Sequence, residues 1–247
     1  MLVDLGRVDL EVRRDSARAA LYRQLLVTRA PLGVGTRLRL HGPWGSDDAE
    51  ISGYDTWNGR IVAVLAVPPR VDSLARRIEP LPASAIRADS VAPPTGPPCV
   101  RDTITLAHAQ RLDVLRDSVE EALRAGVADI PYERLAASIT VKTTVAHGCF
   151  AGGGRTILVS SLRAGSLEYV RERVFLVFET GRVAPMRISG SPWRAHEAIY
   201  ALDANGDGAD DLAVRGASDR AGGTLILRLS SASRLEKLTG GFNWEQR

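Results

Sequence analysis

Two patterns of apolar residues divide the chain near residue 92. Between residues 31 and 92, apolar and polar residues alternate in GTRLRLHG at 35–42, and IVAVLAV at 61–67 is a continuous apolar run. Alternation is typical of a half-buried strand, and a short apolar run is typical of a buried one. Several short strands within about 65 residues predict a small β-barrel over residues 31–92.

A short helix is predicted before this barrel. Ser16 is suited to the N-cap position, Leu21 and Leu25 fall on one helical face, and Pro31 stops the pattern. We therefore expect an N-terminal helical segment within residues 1–30.

A proline-rich stretch follows the predicted barrel. VAPPTGPPCV at 91–100 holds four prolines, which favour extended polyproline geometry. Residues 93–100 are therefore interpreted as a linker between domains, because composition changes sharply there. A Pro-rich ligand for an aromatic groove is the alternative interpretation.

One long helix is predicted at the start of the last region, residues 101–247. Its apolar residues recur at helical spacing, and Gly126 follows them as a C-terminal cap. The residues at this spacing are Leu112, Leu115, Val119 and Ala122.

From residue 139 onward the pattern is that of strands separated by turn signals. Such a pattern is typical of an antiparallel meander. The predicted fold class is therefore α+β, mainly β, with a small barrel, one long helix and a meander sheet. The strand patterns are ITVKTTVAHGCF, RTILVSSLRA, EYVRERVFLVFETG, VAPMRIS, HEAIYALD, DLAVRG and GTLILRLSS.

The segment DANGDGADDL at 203–212 carries the clearest candidate chemistry. Ca²⁺ takes six to eight oxygen ligands, and a short loop supplies them when carboxylates and carboxamides alternate around a glycine that allows a sharp bend. The spacing here matches that requirement and predicts one bound Ca²⁺. The predicted ligands are the side chains of Asp203, Asn205, Asp207 and Asp211 and the carbonyl oxygen of Ala209.

Two features distinguish this loop from a helix–loop–helix calcium site. Its twelfth position is Val214, where that site carries a bidentate glutamate, and both flanks have strand patterns. We therefore expect a strand–loop–strand site, with Asp210 facing outward. The alternative is a polar hairpin turn, because Asn-Gly and Asp-Gly are strong turn dipeptides.

The same segment resembles the calcium loop of FG-GAP, or integrin-α-type, repeats. The resemblance rests on DANGDGADDLAV at 203–214. Members of that family usually carry several such loops in a β-propeller, whereas the chain shows one loop and no fixed-period repeat. The resemblance implies the ligand roles of Asp203, Asn205, Asp207, Ala209 and Asp211.

A second resemblance covers residues 33–91. The order of short strands is similar to that of small Src-homology-type β-barrels in bacterial proteins, and it implies a structural barrel without a marked binding site. The resemblance rests on Gly35, Arg37, Leu38, Arg39, Leu40, Gly53, Ile61 to Leu65 and Ile86.

Composition and charge narrow the classes of partner. The chain of 247 residues has 32 basic and 29 acidic residues, and the arginines are scattered along it. A nucleic-acid site is expected to have a basic stripe with stacking aromatic residues, so no nucleic-acid partner is predicted. No apolar run approaches the ~20 residues of a membrane span, so no transmembrane segment is predicted.

The cellular location of the protein is predicted from three weaker features of the sequence. The first residues carry charges too early for a signal peptide. A disulfide between Cys99 and Cys149 would indicate an oxidising compartment, and two free thiols are the alternative. Extracellular calcium modules bind Ca²⁺ at roughly 10⁻⁴ to 10⁻³ M. We therefore predict a periplasmic or extracellular protein, with a cytoplasmic location left open.

These observations predict a non-enzymatic, exported protein of bacterial type that is stabilised by Ca²⁺ and binds a protein or carbohydrate partner. The alternative is a hydrolase or Cys-dependent enzyme, in which His147 is the base for Cys149 two residues later. The oligomeric state is not predicted. Four tryptophans suit either a partner surface or a core edge: Trp44, Trp57, Trp193 and Trp244.

Overall fold

The fold is mainly β and contains a five-stranded and an eight-stranded sheet in the part of the chain that the structure describes. The chain divides into two compact units, Met1–Pro93 with Ala204–Gly206, and Pro94–Asp203 with Asp207–Arg247. The predicted mainly β α+β fold is confirmed. The computed structural model describes residues 2–7, 17, 20, 21, 24, 32–57, 60–77, 83–87, 104–129, 139–164, 169–218, 221–231 and 233–245.

The first unit is built on an antiparallel sheet with the strand order β1-β4-β3-β2-β5. In β2 the buried Leu38 and Leu40 flank the half-buried Arg39, as the alternating sequence predicts, while His41 and Gly42 are also buried. Leu38, Leu40, Ile51 and Leu65 form the centre of its core. The elements are β1 (Leu2–Arg7), β2 (Arg37–Gly42), β3 (Gly45–Trp57), β4 (Arg60–Ala66), α1 (Pro69–Arg77) and β5 (Ser84–Arg87).

Three features of this unit differ from the sequence prediction. β1 lies within the segment expected to be helical and pairs with β4, while residues 17, 20, 21 and 24 of that segment are helical. The sequence AEISGYDTWNG at 49–59 has a turn-rich pattern, but residues 49–57 belong to the long strand β3, which is paired with β2 and β4 on its two sides. Helix α1 was not predicted, although Pro69 is suited to the first position of a helix.

The first described element of the second unit is a long helix, as predicted. Thr105 caps its N-terminus by accepting a hydrogen bond from the backbone N–H of His108 at 3.2 Å. The buried face is formed by His108, Leu112, Val119 and Leu123. Ala122, which was expected on this face, is exposed. The elements are α2 (Leu106–Ala125), β6 (Thr140–Phe150), β7 (Gly154–Ala164), β8 (Tyr169–Phe178), β9 (Val183–Ser189), β10 (Ala195–Leu202), β11 (Asp211–Ala217), β12 (Ala221–Ser231) and β13 (Arg234–Glu245).

The eight-stranded sheet consists of two four-stranded meanders with the order β10-β11-β12-β13-β9-β8-β7-β6. The meanders join through a short parallel pairing of β13 with β9, which corrects the prediction of a purely antiparallel sheet. The strand β13 was also missing from the predicted set. The remaining neighbours are antiparallel.

The two edge strands of this sheet, β6 and β10, approach each other. The Thr144 hydroxyl accepts a hydrogen bond from the Ala198 N–H at 2.8 Å. Glu197 on β10 also pairs with Lys142 at 2.7 Å and Arg163 at 2.8 Å. The sheet therefore curls into a nearly closed, barrel-like structure. Its core takes alternate residues from all eight strands, among them Ile157, Leu176, Leu212 and Leu227.

Helix α2 covers the outer face of β7 and β8. Val119 and Leu123 of the helix pack on Leu162 of β7. Most of β7 is therefore buried on both faces, including Thr156, Ser160 and Ser161. None of the described helices is long and apolar enough to span a membrane.

Candidate functional site

The predicted calcium loop, residues 203–210, connects β10 to β11. These strands pair in antiparallel register up to Leu202 and Asp211, so the loop is a hairpin connection as predicted. Gly206 and Gly208 have φ angles of 78° and 88°. Glycine favours this left-handed region because it has no side chain to clash, so both glycines permit the bends of the loop.

Backbone hydrogen bonds to the aspartates hold the loop closed. Asp203 Oδ1 accepts from the N–H of Asp207 at 3.1 Å, and Asp203 Oδ2 accepts from the N–H of Gly208 at 3.0 Å. Asp207 Oδ1 accepts from the N–H of Ala209 at 2.9 Å. The loop therefore folds around the carboxylate of its first residue.

Two of the predicted ligands face the same cation. Arg228 on β12 places its Nη2 atom 3.8 Å from Asp207 Oδ2 and its Nε atom 3.7 Å from Asp211 Oδ1. These distances are those of ion pairs and exceed hydrogen-bond lengths. Arg228 thus supplies one positive charge to two carboxylates of the loop, a contact that the local sequence pattern did not reveal.

The side chain of Asp210 corrects a detail of the prediction. It was expected to face outward, but Asp210 is 2% exposed. Its Oδ2 atom accepts a hydrogen bond from the Cys149 N–H at 2.7 Å, and the Asp210 N–H donates to the Cys149 carbonyl at 2.8 Å. Asp210 therefore ties the loop to the end of β6.

Within the described residues, no group of three or more His, Cys, Asp or Glu side chains is arranged to hold a metal ion. Asp207 and Asp211 converge on Arg228, while the Asp203 carboxylate is turned toward the loop backbone. Asn205 and Ala209 are both half-buried. The structure therefore brings two of the five predicted ligands to a common cation.

The residues of the alternative enzyme hypothesis, His147 and Cys149, lie on the same strand but make separate contacts. Cys149 is disulfide-bonded, and its Sγ atom accepts a hydrogen bond from Arg155 Nη1 at 3.1 Å. His147 Nδ1 lies 2.9 Å from the hydroxyl of Thr156. A sulfur in a disulfide is not a thiolate nucleophile, so the structure gives the Cys-dependent alternative no support.

Thr156 is shared by two histidines. Its hydroxyl lies 2.9 Å from His108 Nε2 as well as from His147 Nδ1. Burial lowers the pKa of His108, and the guanidinium groups of Arg155 and Arg111 lower it further against an opposing effect of Glu179. Burial and the neighbouring His108 lower the pKa of His147. Both shifts favour neutral imidazole rings.

A second histidine cluster lies at the start of β10. His196 Nε2 is 2.7 Å from the hydroxyl oxygen of Ser191, and His196 Nδ1 is 3.1 Å from both carboxylate oxygens of Glu172. The His196 backbone N–H also donates to Glu172 Oε2 at 2.8 Å. No sequence motif signals this cluster, because Glu172 and His196 belong to different strands.

Two tryptophans that were candidates for a partner surface lie at core edges. Trp44 is half-buried against the core of the first unit, and Trp193 is half-buried against the core of the second. The side chains of Trp57 and Trp244 lie outside the described residues. Each of these two tryptophans therefore packs at the edge of the core of its own unit.

Comparison with known proteins gives no relative for this chain. No family model matches it, and no curated protein or solved structure matches it either. The resemblance of the loop to FG-GAP repeats therefore rests on its own residues.

Proposed function

We propose that the chain is an exported binding or structural protein in which one Ca²⁺ stabilises the loop between β10 and β11. The observation that carries this proposal is the convergence of Asp207 and Asp211 on a single positive charge, that of Arg228. A doubly charged ion would compete with Arg228 for these two carboxylates, because it interacts with each of them more strongly than a guanidinium does.

The chemistry of the loop fits a hard cation. The oxygens of Asp203 accept backbone N–H groups at 3.1 and 3.0 Å, and a carboxylate oxygen is also the ligand type that Ca²⁺ prefers. The two left-handed glycines supply the bends that a short oxygen-rich loop needs. Asp203, Asn205, Asp207 and Asp211, together with the Ala209 carbonyl, would hold the ion.

The role proposed for Ca²⁺ is structural. The loop joins neighbouring strands of a sheet and is tied to β6 through Asp210, so an ion held there would strengthen three strands together. Binding of a protein or carbohydrate partner belongs to this proposal, and no described surface favours one partner over the other.

The test is a pair of thermal melts, one in 10 mM Ca²⁺ and one in chelator. At a Kd of roughly 10⁻⁴ to 10⁻³ M, this concentration stabilises the folded state by about 1.4 to 2.7 kcal/mol. For a chain of this size the midpoint should rise by about 3–10 °C. Asp207→Asn should abolish most of this rise.

Asp117→Asn is the matched control, because Asp117 is an exposed aspartate of α2. It should keep the full response to Ca²⁺. Equal midpoints with Ca²⁺ and chelator in the wild-type chain would contradict the proposal, and so would an undiminished response in Asp207→Asn.

We also propose that Cys149 is paired with Cys99, the other cysteine of the chain. Cys99 lies outside the described residues. A disulfide of this kind persists in an oxidising compartment, which supports export. Peptide mapping of the non-reduced protein should find the two cysteines in one linked fragment, whereas separate alkylated peptides under the same conditions would contradict the pairing.

A further inference from the structure

The loop between β9 and β10 holds a serine beside a buried histidine. Ser191 is half-buried in this loop, and His196 at the start of β10 is 4% exposed. The Ser191 oxygen lies 2.7 Å from His196 Nε2, within hydrogen-bond reach. A nucleophile and its general base need this contact, because the base must accept the hydroxyl proton as the oxygen attacks.

Glu172 on β8 fixes the orientation and tautomer of His196. Both carboxylate oxygens lie 3.1 Å from Nδ1, and one of them also accepts the His196 backbone N–H. With Nδ1 donating to the carboxylate, the lone pair of the neutral ring is on Nε2. His196 Nε2 is therefore the acceptor for the Ser191 proton.

The hydroxyl of Ser191 is itself oriented. Its oxygen accepts the backbone N–H of Trp193 at 3.1 Å, so its proton is directed to His196. Gly190 precedes it with a φ of 72°, which produces a sharp bend.

We propose that Ser191, His196 and Glu172 catalyse the hydrolysis of short-chain carboxylic esters. The Ser191 oxygen bonds to the ester carbonyl carbon, the carbon–alkoxy bond breaks, and the hydroxyl proton passes through His196 Nε2 to the departing alkoxide. Water then attacks the acyl-serine with His196 as the base, which releases the acid and returns the proton to Ser191. Ester and water give acid and alcohol.

This activity does not depend on the proposed Ca²⁺ site, and it departs from the non-enzymatic interpretation of the sequence. A short-chain ester is the simplest substrate for this site, because the contacts that carry the proposal are those among Ser191, His196 and Glu172. A small ester needs little binding surface beyond the reacting groups.

The test combines covalent labelling with ester hydrolysis. The folded wild-type chain is incubated with a fluorophosphonate probe and mapped by mass spectrometry, which should place the adduct on Ser191 and show none after heat denaturation. Hydrolysis of p-nitrophenyl acetate should fall about 100-fold in Ser191→Ala and at least 10-fold in Glu172→Gln.

Ser189→Ala is the matched control, because Ser189 lies two residues away and donates its hydroxyl proton to the Leu235 carbonyl. It should keep its rate within twofold. An unlabelled wild-type chain, or equal hydrolysis by wild type and a folded Ser191→Ala, would overturn the proposal. The labelling of wild type decides the question even where a variant fails to fold.

Discussion

The second unit uses carboxylates in two contrasting ways. In the β10–β11 loop, Asp207 and Arg228 have side chains that are 48% and 40% exposed, and they lie 3.8 Å apart. At β8, Glu172 and His196 have side chains that are 17% and 4% exposed, with atoms at 2.8 to 3.1 Å. The first pair is loose and about half-exposed, and the second has shorter contacts and is mostly buried.

The difference in exposure and distance between the Asp207–Arg228 and Glu172–His196 pairs indicates a different role for each pair. The half-exposed pair of Arg228 with Asp207 contributes about 0–1 kcal/mol to stability, and the same guanidinium lies 3.7 Å from the buried Asp211. Buried partners lose more when separated, because each is left desolvated without its hydrogen bond. Glu172 is therefore suited to orienting one histidine, whereas the loop is suited to exchanging its cation.

Removing the buried carboxylate should have the largest effect. Glu172→Ala leaves two N–H groups of His196 without their acceptor and should lower the free energy of unfolding by about 2–3 kcal/mol. Urea unfolding measures this change. Glu121→Ala on the exposed face of α2 should stay within about 0.5 kcal/mol of wild type. If Glu172→Ala lowers the free energy of unfolding no more than Glu121→Ala does, the contrast between the Glu172–His196 pair and the Asp207–Arg228 pair is contradicted.

Thr156→Val tests a second buried contact, because it removes a hydroxyl that lies within hydrogen-bond distance of two imidazole rings. His108 Nε2 and His147 Nδ1 each lose a partner, and the free energy of unfolding should fall by about 1–2 kcal/mol. The exposed Thr180→Val provides the control in the same urea titration. A Thr156→Val protein as stable as that control would show that these contacts contribute nothing.

The pH dependence of the free energy of unfolding should reflect the protonation of His108 and His147. Because the pKa values of His108 and His147 are lowered in the folded protein, the unfolded chain binds more protons below its own histidine pKa. Stability should therefore fall as pH drops through the ordinary histidine pKa of about 6.5. Replacing His147 with Gln should reduce this slope in urea titrations around that pH. An unchanged slope would contradict the assignment.

The smallest effect is expected at the solvated pair. In chelator, Arg228→Gln should lower the free energy of unfolding by about 0.5 kcal/mol, as is typical of exposed ion pairs. Addition of Ca²⁺ should restore this loss, because the ion replaces the missing positive charge. A loss that persists in saturating Ca²⁺ would assign Arg228 a packing role instead.

Local patterns predicted much of the second sheet. Strands such as Val183–Ser189 coincide with their apolar alternation, since that alternation records which face is buried. The last strand, Arg234–Glu245, escaped prediction because charged residues and Gly240-Gly241 interrupt its pattern. Its parallel pairing with β9 is a long-range contact that no local period encodes.

The candidate site residues, too, could be predicted only where they lie close together in the sequence. The acidic loop is visible in the sequence because its oxygens lie within nine residues of one another. Its cation Arg228 comes from a neighbouring strand, and the outward position assigned to Asp210 was wrong because β6 lies beside the loop. Glu172, Ser191 and His196 meet only when β8 and β10 are brought together, so no spacing rule finds them.

Direct titration of Ca²⁺ by isothermal calorimetry is the sharpest test of the proposed calcium loop. Wild type should bind one equivalent with a Kd of roughly 10⁻⁴ to 10⁻³ M. Arg228→Gln should bind more tightly because the competing charge is gone, and Asp207→Asn should bind at least tenfold more weakly. The absence of saturable heat in both wild type and Arg228→Gln up to 10 mM Ca²⁺ would contradict the calcium site.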